Sequence, residues 1–246
     1  MKRERSPVCV GDRVRVEAGV VVGRAERRSV LLRPAPNSRE MLLHALAANL
    51  DFLVVVASAR QPDFSPGIVD RFLVAASSQK IPAVVCVNKA DLFEAGAPRL
   101  WSAYPGALEV SASTGALGAL PGLVAGKTTA FCGNSGVGKT SLLRRLLGDE
   151  AYGRVGAISG STGKGRHTTT GALLLAGPAG ASFIDTPGVM NFGLVGVTKA
   201  NLLAHFPELA VAAKACAAGC AHDGAACALS GLPRHAGYLQ LRAGLA

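Results

Sequence analysis

Residues 85–93 read VCVNKADLF and residues 133–140 read GNSGVGKT. The first is an apolar run that stops on N-K-x-D. That pattern suits the end of a buried strand opening into a loop that reads a purine base. Asp91 can accept two hydrogen bonds from the N1–H and 2-amino group of guanine, which adenine cannot offer in that arrangement. Asn88 can meet the opposite edge of the base, Ala90 is the spacer, and the Lys89 stem can lie over the ring. The second stretch satisfies G-x-x-x-x-G-K-[ST]. It follows the apolar run TTAFC and precedes the helical pattern SLLRRLL. In that setting the backbone of Gly133, Asn134, Ser135, Gly136, Val137 and Gly138 can wrap phosphate oxygens. Lys139 can reach the β and γ oxygens, the Thr140 hydroxyl can ligate Mg²⁺, and Ser141 continues the helix whose N-terminus adds positive potential.

Two further fragments complete the set. SAS at 111–113 follows a short apolar run, and Ser111 and Ala112 are placed to offer a backbone N–H to guanine O6. DTPG at 185–188 ends the run ASFI; Asp185 would hold Mg²⁺ through water and the Gly188 N–H would sense a γ-phosphate. The chain order is therefore base, base, phosphate, switch. In most GTP-binding domains the phosphate cradle comes first. Joining the original ends of such a domain and opening it elsewhere gives this order while keeping the sheet, because domain termini often lie close together. One consequence is that DTPG leads straight through VMNFGLVGVTKANLL into the C-terminal part of the chain.

The residue after the DTPG glycine is Val189, where many GTPases carry a water-orienting Gln. The loop KGRHTTT at 164–170 supplies the replacement candidates. His167 has a lone pair suited to a water, and Lys164 and Arg166 can stabilise phosphate charge. One of Thr168, Thr169 or Thr170 would complete the Mg²⁺ shell with Thr140 and Asp185; Thr169 is taken as that ligand. Farther on, Cys216, Cys220, His222 and Cys227 form C-x₃-C-x-H-x₄-C, a Cys₃His set of the kind that holds structural Zn²⁺, one ion per chain. Its Ala/Gly-rich segment has little else with which to build a core.

The rest of the sequence fits around these motifs. Continuous apolar runs at DFLVVVAS, IPAVVCVN and TTAFCG, alternating with helical patterns, predict an α/β parallel sheet over residues 41–198. Residues 8–33 alternate apolar and polar positions with glycines at the breaks, which predicts three short antiparallel strands in a partial sheet or truncated barrel spanning residues 1–40. The remainder, 199–246, is Ala-rich and carries the Cys/His set and a final amphipathic stretch, RHAGYLQLRAGL. The net charge is +10, and residues 1–40 hold ten Lys/Arg against five acids, which favours a polyanionic partner. No apolar run has the ~20 residues of a membrane span, and the basic start lacks the apolar stretch of a secretory signal. A reducing cytoplasm is expected, with Cys9, Cys86 and Cys132 as small core residues.

Taken together, these motifs resemble a known family, the circularly permuted small-ribosomal-subunit assembly GTPases (ribosome small-subunit-dependent GTPase A). VGDRV, RRSVLLRP, PDF with DRFLVAA, NKADL, GNSGVGKTSL, KGRHTTT, DTPGV with FGL, FPEL, the Cys/His set and RHAGYLQL follow that family's landmarks in its order. The resemblance implies an N-terminal OB-fold, here short of its first strands, a permuted GTPase domain and a C-terminal zinc domain. It also implies GTP and GDP as ligands, binding to the small ribosomal subunit and its rRNA late in maturation, and hydrolysis stimulated by the subunit with His167 as the catalytic residue. A monomer with no membrane association is expected. The alternative is a GTP-regulated RNA-binding switch with negligible turnover.

Overall fold

The computed structural model describes residues 8–34, 43–153, 172–185 and 193–245. The centre is a six-stranded sheet. β5 (Phe52–Ser58), β6 (Ala83–Asn88), β7 (Leu108–Glu109), β8 (Thr128–Cys132) and β10 (Ser182–Asp185) run parallel, and β9 (Leu173–Ala176) pairs antiparallel to β10 at one edge, in the order β7-β6-β5-β8-β10-β9. The apolar runs FLVVVAS, AVVCVN and TTAFC fall on the three central strands, as residues buried on both faces require. On β5, Leu53, Val55 and Ala57 pack with Phe72 and Ala76 of α1 (Pro66–Ser78). Val54 and Val56 face the other way, against Leu142 and Leu143 of α3 (Lys139–Leu147) and Leu120 of the short α2 (Leu120–Val124). Pro66 occupies the first turn of α1, where its missing N–H costs nothing, and Gly148 ends α3 at φ 68°.

The N-terminal strands form two antiparallel ladders rather than one three-stranded sheet. β1 (Val14–Glu17) and β2 (Val20–Arg24) make a hairpin, and β3 (Val30–Pro34) pairs with β4 (Leu43–Ala48). β4 thus carries the β region past residue 40. Val10 bridges to Ala47 beside it. Asp12 ties the region together. Its buried carboxylate accepts a fork from Arg27 at 2.7 and 2.8 Å and the Cys9 N–H at 2.8 Å. Asp51 joins this region to the sheet, accepting from Arg28 Nη1 at 3.0 Å and from the Thr128 N–H at 2.9 Å.

The C-terminal residues build a third core from Leu209 on the short helix α4 (Pro207–Ala212), Tyr238 and Leu241 on α5 (His235–Ala243), and Leu202, Phe206 and Leu229 outside those helices. Val74 of α1 belongs to this core, so α1 serves the sheet on one side and the C-terminal part on the other. The joint is a buried ion pair. Arg234, 7% exposed, donates Nε to Asp70 Oδ1 at 2.6 Å and Nη1 to Glu208 at 2.8 Å. Its guanidinium lies 5.0 Å from the Tyr104 ring centre and 4.7 Å from that of Phe206. Among the described residues no helix is long and apolar enough to cross a membrane.

Burial opposes ionisation of Asp12, but the Arg27 fork and the Cys9 N–H outweigh it and hold the carboxyl below its ordinary value. A depressed carboxyl contributes stability that is full above the unfolded value, about 3.9, and is lost as pH falls below it. Acidification from pH 7 to about 3 should therefore loosen residues 8–48 before the parallel sheet, read by hydrogen exchange. Asp12→Ala should reproduce the loosening at pH 7, at a cost of about 3 kcal/mol.

Candidate functional site: a nucleotide cradle and a cysteine–histidine cluster

Each sequence motif leaves the carboxyl end of a parallel strand. Asn88 ends β6, Ser111 follows β7, Gly133 follows β8 and Asp185 ends β10. That edge is where open α/β sheets bind ligands. The phosphate loop crosses the end of β5 so closely that a Cβ at Gly133 would lie 2.0 Å from the Val56 carbonyl oxygen; its φ is 144°. At Gly138, φ is 90° and a Cβ would lie 2.2 Å from Asn88 Nδ2. Glycine is required at both. Lys139 Nζ donates to the carbonyls of Gly133 and Asn134, both at 2.7 Å, and burial lowers its pKa.

Asn88 is 1% exposed, and both ends of its amide are used. Nδ2 donates to the Val137 carbonyl at 3.0 Å, and Oδ1 accepts the Ala112 N–H at 3.0 Å. One side chain therefore spaces the base-reading strand, the phosphate loop and the SAS loop. Lys89, at φ 59°, extends its ammonium to the carbonyls of Gln61 and Gly136, the latter at 2.8 Å. The Asp91 carboxylate accepts the Ser111 hydroxyl at 2.5 Å and the Ser113 hydroxyl at 2.9 Å. Those hydrogen bonds, Ser111 first, lower its pKa and keep it ionised as an acceptor. A cavity of about 260 Å³ lies beside these groups, lined by Asn88, Lys89, Ala112, Ser113, Gly138 and Ser141; Asp91, Ser111 and Lys139 do not line it. From α3 it is lined by Ser141, Arg144 and Arg145, and Asp185 sits two strands away from Asn88's neighbour β5 in the same sheet edge. Asp185 Oδ2 accepts the Tyr152 hydroxyl at 2.6 Å.

In the C-terminal part, one atom each from Cys216, Cys220, His222 and Cys227 lie within 4.8 Å of one another. Cys216 Sγ is 3.6 Å from His222 Nδ1 and 3.7 Å from Cys227 Sγ, and Cys227 Sγ is 3.6 Å from His222 Nδ1. A tetrahedron with metal–sulfur bonds of about 2.3 Å has edges of about 3.8 Å, so these spacings suit a four-coordinate metal ion. The surroundings suit thiolates. The His222 N–H points to Cys220 Sγ at 3.4 Å and the Leu229 N–H to Cys227 Sγ at 3.3 Å. His235 Nε2 is 2.8 Å from the His222 carbonyl and braces the ligand loop.

A profile of the RsgA GTPase family matches residues 24–195. The chain belongs to the RsgA GTPase family. The small ribosomal subunit biogenesis GTPase RsgA of Chlorobaculum parvum is 38% identical over 234 residues, covering 87% of this chain and 75% of that protein. Its namesake from Marinobacter nauticus is 40% identical over 215 residues, but the chain spans only 60% of that relative's length. Among solved structures, YjeQ from Thermotoga maritima superposes with a TM-score of 0.71 at 25% identity, over 98% of this chain and 86% of that one. YloQ, described as a circularly permuted GTPase, superposes at 0.69 with 24% identity over 99% and 83%, a likeness of fold.

In this RsgA-family chain the circular permutation read from motif order is the observed architecture: β6 and β7 precede β8 in sequence yet flank the same edge. The structure brings Asn88, Lys89, Ala112, Gly138 and Ser141 onto one cavity, which Gly133 to Val137, Lys139 and Thr140 do not line. Lys164, Arg166, His167, Thr168, Thr169, Thr170, Gly188 and Val189 lie outside the described residues. Three polar contacts escaped the sequence reading. The Asn88 amide is given to protein groups, Tyr152 binds Asp185 from 33 positions away, and Arg145 reaches the Ala112 carbonyl.

Asn88→Ala would leave the buried Ala112 N–H and Val137 carbonyl without partners. It should lower stability by about 2 kcal/mol and weaken GDP binding at least about tenfold. Unchanged GDP affinity by calorimetry would show that this amide does not set the spacing of the two loops.

Proposed function

We propose that the chain is a GTP hydrolase that binds the small ribosomal subunit and assists its late maturation, with hydrolysis stimulated by the subunit. The observation that carries the reading is the joining of a guanine-type reader, Asp91 with its serines, to a phosphate loop through the Asn88 amide. The names of the relatives, small ribosomal subunit biogenesis GTPases, supply the subunit. The +10 charge and the Arg-rich first 40 residues suit rRNA. Residues 1–40, 41–198 and 199–246 are taken as the RNA-binding, nucleotide and zinc parts, and the pairing of β3 with β4 argues for moving the first boundary to about Ala48.

In this reading Asp91 takes the guanine N1–H and 2-amino group, and Lys139 and the loop amides take the phosphates. Thr140, Asp185 and Thr169 arrange Mg²⁺ and its waters, and the Gly188 N–H senses the γ-phosphate. Mg²⁺ would neutralise charge on the β and γ oxygens. His167 orients the attacking water, because Val189 has no group to do so. Cys216, Cys220, His222 and Cys227 hold one structural Zn²⁺. The chain acts as a cytoplasmic monomer. The short N-terminal β region, which would weaken stimulation, favours a second reading, a GTP-regulated RNA-binding switch with negligible turnover.

GTP turnover measured with and without purified small subunits separates the two readings. The expected result is slow hydrolysis alone and a marked rise with subunits, weakened by added salt. Turnover that subunits leave unchanged favours the switch. His167→Ala should lose about a hundredfold of the stimulated rate and keep GTP affinity; full stimulated turnover would remove His167 from the chemistry. Purified protein should contain about one Zn²⁺ per chain. Cys220→Ser should lower that content and speed hydrogen exchange beyond Ala215, leaving GDP binding largely intact. Stable protein without zinc would refute the metal assignment.

A further inference from the structure

The SAS loop is held from three sides. Asn88 takes the Ala112 N–H at 3.0 Å, and Asp91 takes the hydroxyls of Ser111 and Ser113. The third hold comes from α3. Arg145 Nε donates to the Ala112 carbonyl at 2.9 Å and Nη2 to the Ser113 carbonyl at 3.4 Å. Its remaining nitrogen, Nη1, pairs with Glu150 at 2.8 Å, which offsets the charge and fixes the plane of the fork. Arg145 is thus the link between the helix that begins at the phosphates and the loop that meets the base.

The loop's amides are unequally engaged. The Ser111 N–H goes to the Ala116 carbonyl at 2.7 Å, that of Ala112 to Asn88, and that of Thr114 to the Ser111 hydroxyl at 3.2 Å. Among the described residues the Ser113 N–H has no protein acceptor. It belongs to the same planar trans peptide as the Ala112 carbonyl, so the two point in opposite directions. Fixing that carbonyl fixes the direction of the Ser113 N–H. Both Arg145 and Ser113 line the 260 Å³ cavity.

We propose that Arg145 is a positioning residue for guanine selection: by gripping the Ala112 and Ser113 carbonyls it aims the Ser113 N–H at the 6-oxo group of the base. The inference rests on the guanine reading proposed above and assigns the O6 contact to a residue one place beyond the Ser111–Ala112 pair expected from sequence. A planar fork is needed, since two carbonyls must be met at once while Glu150 is also bound; a lysine ammonium offers no such geometry.

The test compares GDP with 2-aminopurine riboside diphosphate, which keeps the 2-amino group and lacks both the 6-oxo group and the N1–H that Asp91 would meet, by titration calorimetry. The wild-type protein should prefer GDP. Arg145→Ala should weaken GDP about tenfold and leave the 2-aminopurine nucleotide unchanged, so that the preference shrinks. Arg145 is 41% exposed, so the substitution leaves the core intact. Arg145→Lys should behave as Arg145→Ala. Equal weakening of both nucleotides would make Arg145 a support of the helix alone and overturn the proposal, as would unchanged GDP affinity or full rescue by lysine. Wild-type protein that binds both equally would overturn the guanine reading itself, and with it this inference. The part of the preference that Asp91 sets through N1–H should persist in Arg145→Ala; wild-type discrimination that survives there at full size would overturn the inference only.

Discussion

The nucleotide edge depends on one amide. Asn88 stands where β6 ends, and its two polar ends hold two other loops at fixed distances. Buried amides carry a strong requirement for both partners, and here each partner is a backbone group of a functional loop. The glycine at 138 follows from the same constraint, because Asn88 Nδ2 occupies the space a Cβ would take. The phosphate loop and the base loop are therefore one mechanical unit, closed by a side chain that also lines the cavity between them.

A second constraint governs the C-terminal part. The Asp70–Arg234 pair is sealed between α1 and α5, with Gly237 so close that a Cβ there would meet Asp70 Oδ2 at 1.9 Å. Removing either charge would strand the other, so the joint resists partial opening. Leu194, the second described residue after the DTPG segment, packs against both the sheet core and the C-terminal core. The described chain thus lies in the seam between the two cores nine residues after Asp185. With the Cys₃His cluster packed onto the same core through Cys227, movement at the seam and the geometry of the cluster share contacts.

The parts of this structure legible in sequence were those with a period or a fixed spacing. FLVVVAS, AVVCVN and TTAFC announced strands covered on both faces. The Cys/His spacing announced a cluster that the fold does bring together. Illegible were contacts between side chains far apart in the chain. Arg234 finds Asp70 across 164 positions, and Tyr152 finds Asp185 across 33. Nothing local marks such pairs. The pairing of β3 with β4 was hidden for another reason: LHALAA reads as easily as a helix, and only its partner makes it a strand. Asn88 was found, but the two backbone groups its amide holds were not, because a motif names a residue without showing what holds it.

The strand order carries a consequence for how the chain is made. β5 and β6 are neighbours in sequence and in space, but the other side of β5 is filled by β8, which begins at Thr128, about 70 residues beyond Ser58. During synthesis from the N-terminus the base-reading half emerges first, with the hydrogen-bonding edge of its most apolar strand uncovered. Such an edge is a template for pairing with other chains until its own partner arrives. The rearranged gene order thus trades an early-folding phosphate site for a nascent chain that must be kept apart from its neighbours while the second half is translated.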